Sequence, residues 1–200
     1  MTKSLLFAAC AGLLLSSAGA WAQQADAPGG PGRPEIKPVG DWFVRCFPID
    51  SPSPCDMFQE LDSPATKQRV LSISLAFVPS IDRHAIQIMV PLEIAIQKGI
   101  TIKTDTFTSP LLKYRRCDRN GCYVETPVEN SFVEALGRSG GEKGKVNIVA
   151  DTGKTYALDF YLKGFSAAHD DMVSQARVKA KAIRSPPMQR RRRVRELRSG

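Results

Sequence analysis

The sequence predicts an all-β domain, sandwich-like and mostly antiparallel, with a short mid-chain helical turn and one C-terminal helix. Three observations predict it. Short segments with period-two alternation of apolar and polar residues recur from Trp42 to Leu162. Turn residues separate those segments, most sharply at Asn120-Gly121. An apolar spacing of helical period is sustained only late, over Ser166–Ala182.

The chain opens with Lys3, an apolar run from Leu5 to Leu15, and Ala20-Trp21-Ala22, an A-x-A cleavage pattern. The run is too short to span a bilayer, so residues 1–22 read as a signal peptide and the mature chain is expected to begin at Gln23. Cys10 lies inside the apolar run, with Phe7 where a lipid-attachment motif usually has leucine, which weighs against lipidation. Residues 23–38 are rich in Pro, Gly and Ala and read as a flexible linker. The folded domain is expected over 39–183, and 184–200 as a disordered, Arg-rich tail.

Gly40–Cys46 is the first strand, with Trp42, Val44 and Cys46 on one face and Phe43 and Arg45 on the other. A Pro- and Ser-rich turn leads to a return strand, Cys55–Glu60. Val70–Val78 places Leu71, Ile73, Leu75 and Phe77 on one side. His84–Val90 places Ile86, Ile88 and Val90 inward. Pro91 ends ladder pairing locally or marks an edge, and Leu92–Ile96 resumes the strand pattern. Ile100–Thr104 is a β-branched strand. Tyr114–Val124 is a hairpin, whose loop from Asp118 to Gly121 leaves Cys117 opposite Cys122.

Glu129–Leu136 is predicted as two helical turns, with Asn130 or Ser131 as N-cap and Gly137 just past the end. Gly137–Lys145 is predicted as a loop. Val146–Ala150 and Thr155–Leu162 are strands joined by a turn at Asp151–Lys154. In the closing helix Ala168, Met172, Val173, Ala176 and Ala180 line up, Ser166 can cap, and Pro186-Pro187 ends it. No internal repeat is visible.

Without Cys10, four cysteines remain: Cys46, Cys55, Cys117 and Cys122. An even count in an exported chain reads as two disulfides. Of the three pairings, Cys46–Cys55 and Cys117–Cys122 are favoured, because each closes a short loop containing a turn. Directly opposed strand positions lie about 4.5–5.5 Å apart, within disulfide reach. Loop entropy assigns such small loops about 2–3 kcal/mol each. Zinc is disfavoured, since four residues separate Cys117 from Cys122 and no histidine is near.

The net charge of +8 is local. Gln23–Ala176 carries 17 basic and 19 acidic residues, whereas Arg177–Gly200 carries ten basic residues and one acid, Glu196. The body is slightly acidic, which argues against specific nucleic-acid binding by the domain. The candidate anionic-surface contacts are Arg190, Arg191, Arg192, Arg193, Arg195 and Arg198. Their partners would be lipopolysaccharide, lipid headgroups or a host surface. A solvated tail without function is the competing reading.

The remaining motifs favour structural readings over chemical ones. Asp151-Thr152-Gly153 matches the aspartic-protease tripeptide, but that reaction needs two such aspartates and the residues suit a turn. Gly144-Lys145 lacks the preceding glycine and the following Ser or Thr of a phosphate loop. His169 adjoins Asp170 and Asp171, which admits a metal or acid–base role, but neighbouring helix positions do not converge on one point, so a solvated face is the favoured expectation. His84 reads as a strand-edge residue. No catalytic, cofactor or metal residues are assigned.

Several segments resemble the invasion-associated locus B family of exported bacterial proteins. They are Asp41-Trp42 to Cys46 followed by Cys55, Met89-Val90-Pro91-Leu92 leading to Gly99-Ile100 and Asp105, Tyr114-x-x-Cys117-x-x-x-Gly121-Cys122, and Leu162-Lys163-Gly164-Phe165-Ser166-Ala167-Ala168. Glu93 stands where that pattern has a small turn residue such as glycine. The resemblance implies export to the periplasm or outer envelope of Gram-negative bacteria. The family's namesake is linked to host-cell entry, and no catalytic residue carries over. The function expected is therefore non-enzymatic: surface binding to an unknown protein or anionic surface, with peripheral membrane contact through the tail. The alternatives are a periplasmic chaperone-like or envelope-housekeeping module and an unrecognised hydrolase.

Overall fold

The computed structural model describes residues 33–184. Ten strands and two α-helices follow in the order β1 (Glu35–Val39), β2 (Trp42–Cys46), β3 (Cys55–Asp62), β4 (Arg69–Val78), β5 (Arg83–Val90), β6 (Thr101–Lys103), β7 (Tyr114–Asp118), β8 (Gly121–Val128), α1 (Asn130–Gly137), β9 (Lys143–Val149), β10 (Thr155–Tyr161) and α2 (Phe165–Arg184). They build two antiparallel sheets. One has seven strands in the order β1-β2-β3-β4-β5-β8-β7, the other three in the order β10-β9-β6. The fold is all-β and sandwich-like, as the alternation predicts.

One face of the large sheet is apolar because every strand alternates in the same register. Val44 opposes Met57, Met57 opposes Leu75, Leu75 opposes Ile86, and Ile88 opposes Val124. All six are buried. The small sheet contributes Ile102, Val146, Ile148 and Phe160 to the same core, and α2 contributes Phe165, Ala168, Met172 and Ala176. Those four helix residues recur at helical period, so one stripe faces inward. The edge of the Trp42 ring meets Phe165 at 5.3 Å between centroids, joining the first inner strand to the start of the helix. Burying a side chain such as Met172 is worth about 2–3 kcal/mol.

Five local expectations are corrected. The flexible linker was expected to reach Pro38, but Glu35–Val39 is a strand paired with β2. It is an edge strand, which tolerates a proline, and Gly40-Asp41 supplies a two-residue hairpin loop with Gly40 at φ +63°. Leu92–Ile96 does not resume as a strand. After Pro91, Glu93 turns the chain at φ +63°, and a 3₁₀ turn follows at Ile96–Lys98. The position where the family pattern has a small residue is thus a left-handed one, filled here by glutamate. The loop expected to run to Lys145 ends earlier, since β9 starts at Lys143; Gly144 lies against the Phe160 ring, leaving no room for a Cβ.

The last two corrections concern helix caps. Neither Asn130 nor Ser131 caps α1. Glu129 is the N-cap residue and its side chain makes no cap bond; its carboxylate pairs with Arg83, and the Asn130 side chain is engaged by His84. Ser166 does not cap α2 but donates its hydroxyl to the Gly137 carbonyl at 3.3 Å.

Candidate functional site

The four predicted cysteines form two disulfides, Cys46–Cys55 and Cys117–Cys122. In each, the strand register places the two residues directly opposite. Cys46 and Cys55 are buried in the core under α2, whereas Cys117 is exposed at the tip of the β7–β8 hairpin. The central residues of that turn are Arg119 and Asn120, and the Asn120 amide is held by the Asp118 carboxylate at 2.8 Å. Residues 1–22, with the signal-peptide reading, lie outside the described residues. So do Arg190, Arg191, Arg192, Arg193, Arg195 and Arg198.

The outer face of the large sheet carries the side chains that point away from the core. Phe43 stacks on Phe58 at 5.5 Å between centroids, and the Arg45 guanidinium lies over the rings of Phe58 (4.4 Å) and Phe47 (4.9 Å). Asp56 holds that guanidinium in a two-point contact at 2.6 and 3.0 Å and also accepts the Ser74 hydroxyl at 2.8 Å. The hydrogen bond to Asp56 is the largest influence on Arg45 and raises its pKa further. Beside this ladder runs a trough of about 530 Å³, with Ser74, Ala76 and Ala85 among its lining residues. Across it stand Arg115, Glu125 and Pro127. Small residues in the middle strands leave the depression, and aromatic and charged residues border it.

A second concavity, of about 420 Å³, lies where α1 and α2 meet the start of β5. It contains both histidines of the chain. His84 is buried, and its Nδ1 lies 2.9 Å from Asn130 Oδ1. Its Nε2 lies 3.0 Å from His169 Nε2, and His169 Nδ1 lies 3.2 Å from Asp170 Oδ1. Phe77 packs against the His84 ring, and Arg177 lies over Phe77 while bonding Asp82 at 2.7 Å. Burial lowers the His84 pKa; the bond to Asn130 opposes that shift and His169 reinforces it.

These findings revise two expectations. His84 is a core-facing residue, not a strand-edge one, because it shares the inward register of Ile86 and Ile88. His169 does not sit on a solvated helix face but meets His84 across the layer. Its partner is no helix neighbour but lies 85 positions away. The available signal was that the chain has just two histidines. Asp151-Thr152-Gly153 is the turn between β9 and β10, with Gly153 at φ +83°. Among the described residues no group of three or more His, Cys, Asp or Glu gathers at one point. Among the described residues no helix is long and apolar enough to cross a membrane.

Comparison with known proteins gives a consistent result. The sequence model described as invasion associated locus B (IalB) protein matches residues 42–173. Two Invasion protein B homologs, from Brucella abortus strain 2308 and from biovar 1 strain 9-941, are each 31% identical over 130 residues, covering 65% of this chain and 74% of theirs. The crystal structure of invasion associated protein B from Bartonella henselae superposes with a TM-score of 0.60 at 19% identity, covering 70% of this chain and 96% of that one. At that identity the superposition speaks for the fold alone.

Proposed function

The chain belongs to the invasion associated locus B family, and from that premise we propose that it is a non-enzymatic, extracytoplasmic binding domain that works by contact with a host-cell or envelope partner. The observation that carries this reading is the outer face of the seven-stranded sheet. Phe43 is 42% exposed there, in line with Phe58 and Arg45 and next to a trough floored by small residues. Aromatic residues and arginine are the side chains most enriched at protein interfaces, because they offer large, rigid contact areas. Two supports accompany it. Paired cystines are the usual mark of an oxidising compartment outside the cytosol. The Brucella relatives carry invasion in their names.

The Arg-rich segment, with Arg190–Arg193, Arg195 and Arg198, adds salt-sensitive adhesion to anionic headgroups or lipopolysaccharide. Each arginine near such a surface is worth about 1 kcal/mol. The experiment measures adherence of the purified mature chain to host cells and to anionic vesicles at low and high salt. Phe43→Ala is expected to lower cell adherence at least about fivefold with an unchanged Tm, since one interface anchor is worth about 1 kcal/mol or more. Deleting 185–200 is expected to abolish the salt-sensitive vesicle binding. Adherence untouched by both changes would overturn the proposal.

A further inference from the structure

We propose that His84 and His169 form a binding site for a divalent transition-metal ion, taken between their Nε2 atoms at the floor of the pocket between α1, α2 and β5.

Each neutral imidazole has one N–H and one lone pair. His84 Nδ1 faces Asn130 Oδ1 at 2.9 Å, and Asn130 is oriented by its Nδ2, which donates to the Asp82 carbonyl at 3.5 Å. An oxygen acceptor at that position requires His84 to carry its hydrogen on Nδ1. His169 Nδ1 faces the Asp170 carboxylate at 3.2 Å, which calls for a hydrogen on Nδ1 there too. Both Nε2 atoms then present lone pairs to each other across 3.0 Å. Two lone pairs at that distance repel unless a proton on one Nε2 or a metal ion lies between them.

The geometry suits a metal. Two nitrogens bound at 2.0–2.1 Å to one tetrahedral ion stand about 3.3 Å apart, close to the 3.0 Å found. Ligating histidines usually donate their other N–H to a carbonyl or carboxylate, which fixes the tautomer and aims the ring. Here the side-chain carbonyl of Asn130 serves one histidine and the carboxylate of Asp170 the other. This also accounts for the use of Asn130, which sits at the first position of α1 yet spends its side chain on β5 rather than on a cap. Two imidazoles with no thiolate favour zinc, copper or nickel over calcium or magnesium. Among the described residues no third protein ligand completes the set. The remaining coordination positions open into the 420 Å³ pocket, where water or an external ligand can occupy them.

The test is equilibrium dialysis of the tag-free mature chain, stripped with chelator, against zinc chloride at pH 7.5, with elemental analysis of the bound metal. One zinc per chain is expected. His169→Ala, at the edge of the pocket, is expected to remove it, and Asp170→Ala to weaken it about tenfold through loss of the supporting bond. Circular dichroism of the stripped variants establishes that they are folded. His84→Gln is also expected to remove the zinc; if that variant fails to fold, His169→Ala alone decides the matter. Cobalt chloride gives a second reading, since nitrogen ligation produces a visible absorption band that should vanish in His169→Ala. No bound zinc in the native chain, or zinc retained undiminished in folded His169→Ala, would overturn the proposal.

Discussion

The side-chain amide of Gln59 pairs with the backbone of Tyr161 as a second strand would. The Tyr161 N–H donates to Gln59 Oε1 at 2.8 Å, and Gln59 Nε2 donates to the Tyr161 carbonyl at 3.3 Å and to the Asp41 carbonyl at 2.8 Å. Trp42 Nε1 donates to the same Tyr161 carbonyl at 3.0 Å. A buried polar side chain on β3 thus ties the large sheet to the end of β10. Gln59→Leu keeps the volume but removes the partner of the Tyr161 N–H in a part-buried site. It is expected to cost about 1–3 kcal/mol, read as a lower midpoint in urea with an unchanged slope.

The Arg45–Asp56 pair stands on the outer face with Arg45 between two phenyl rings. Arg45→Ala removes both the counter-charge and the ring contacts, leaving the buried Asp56 carboxylate with Ser74. Because Arg45 keeps partial contact with solvent, the expected cost is about 2 kcal/mol rather than the larger figure for a fully buried pair. Arg45→Lys is expected to recover less than half of it, since an ammonium can neither match two carboxylate oxygens nor stack in the same way. A thermal melt of the three proteins side by side decides this.

The two cystines are expected to differ in reactivity. Cys46 and Cys55 are both buried, while Cys117 is exposed. Dithiothreitol at low concentration should open Cys117–Cys122 first, as read by alkylation and mass spectrometry of timed samples. Replacing Cys46 and Cys55 together by alanine is expected to cost at least about 2–3 kcal/mol from loop entropy alone. Equal rates of reduction for both bonds would contradict this ordering.

The pH dependence follows from His84, whose pKa is lowered chiefly by burial. The unfolded chain takes up that proton near pH 6.5, and the folded chain takes it up only at a lower pH. The contribution is therefore fully present above about 6.5 and is lost as the pH falls through the folded value. The groups around the ring are Asn130, His169, Phe77 and, at longer range, Asp82. Urea midpoints measured with a chelator from pH 7.5 to 5.5 should fall, and His84→Gln should flatten that fall. The exposed carboxylates of Asp118 and Asp159 have lowered pKa values from their partners Asn120 and Lys145, and act only in the more acidic range.

What could be read from the residues was local. Alternation placed Trp42, Val44, Leu71, Ile73, Leu75 and Phe77 in the core because a strand face repeats every second residue. Both cysteine pairings were legible because each bridge closes a hairpin. The strand at Glu35–Val39 was hidden because its pairing is supplied by β2, not by its own Pro-bearing sequence. The turn at Glu93 was visible only as a departure from a family pattern, since glutamate gives no sign of a left-handed backbone. The histidine pair was hidden for a different reason. It exists only once α2 lies across β5, so no window along the chain contains both rings.

The position of α2 sets a schedule. Its residues Phe165, Ala168, Met172 and Ala176 cover strands made from the opposite end of the polypeptide, and Trp42 meets Phe165 only after more than a hundred intervening residues have been synthesised. Until then the greasy side of the large sheet lacks the helical part of its cover. Contacts of such long sequence separation slow folding and leave the nascent chain prone to clumping. Truncation before Phe165 should therefore yield a polypeptide that needs a holdase to stay dispersed, whatever its strands can do alone.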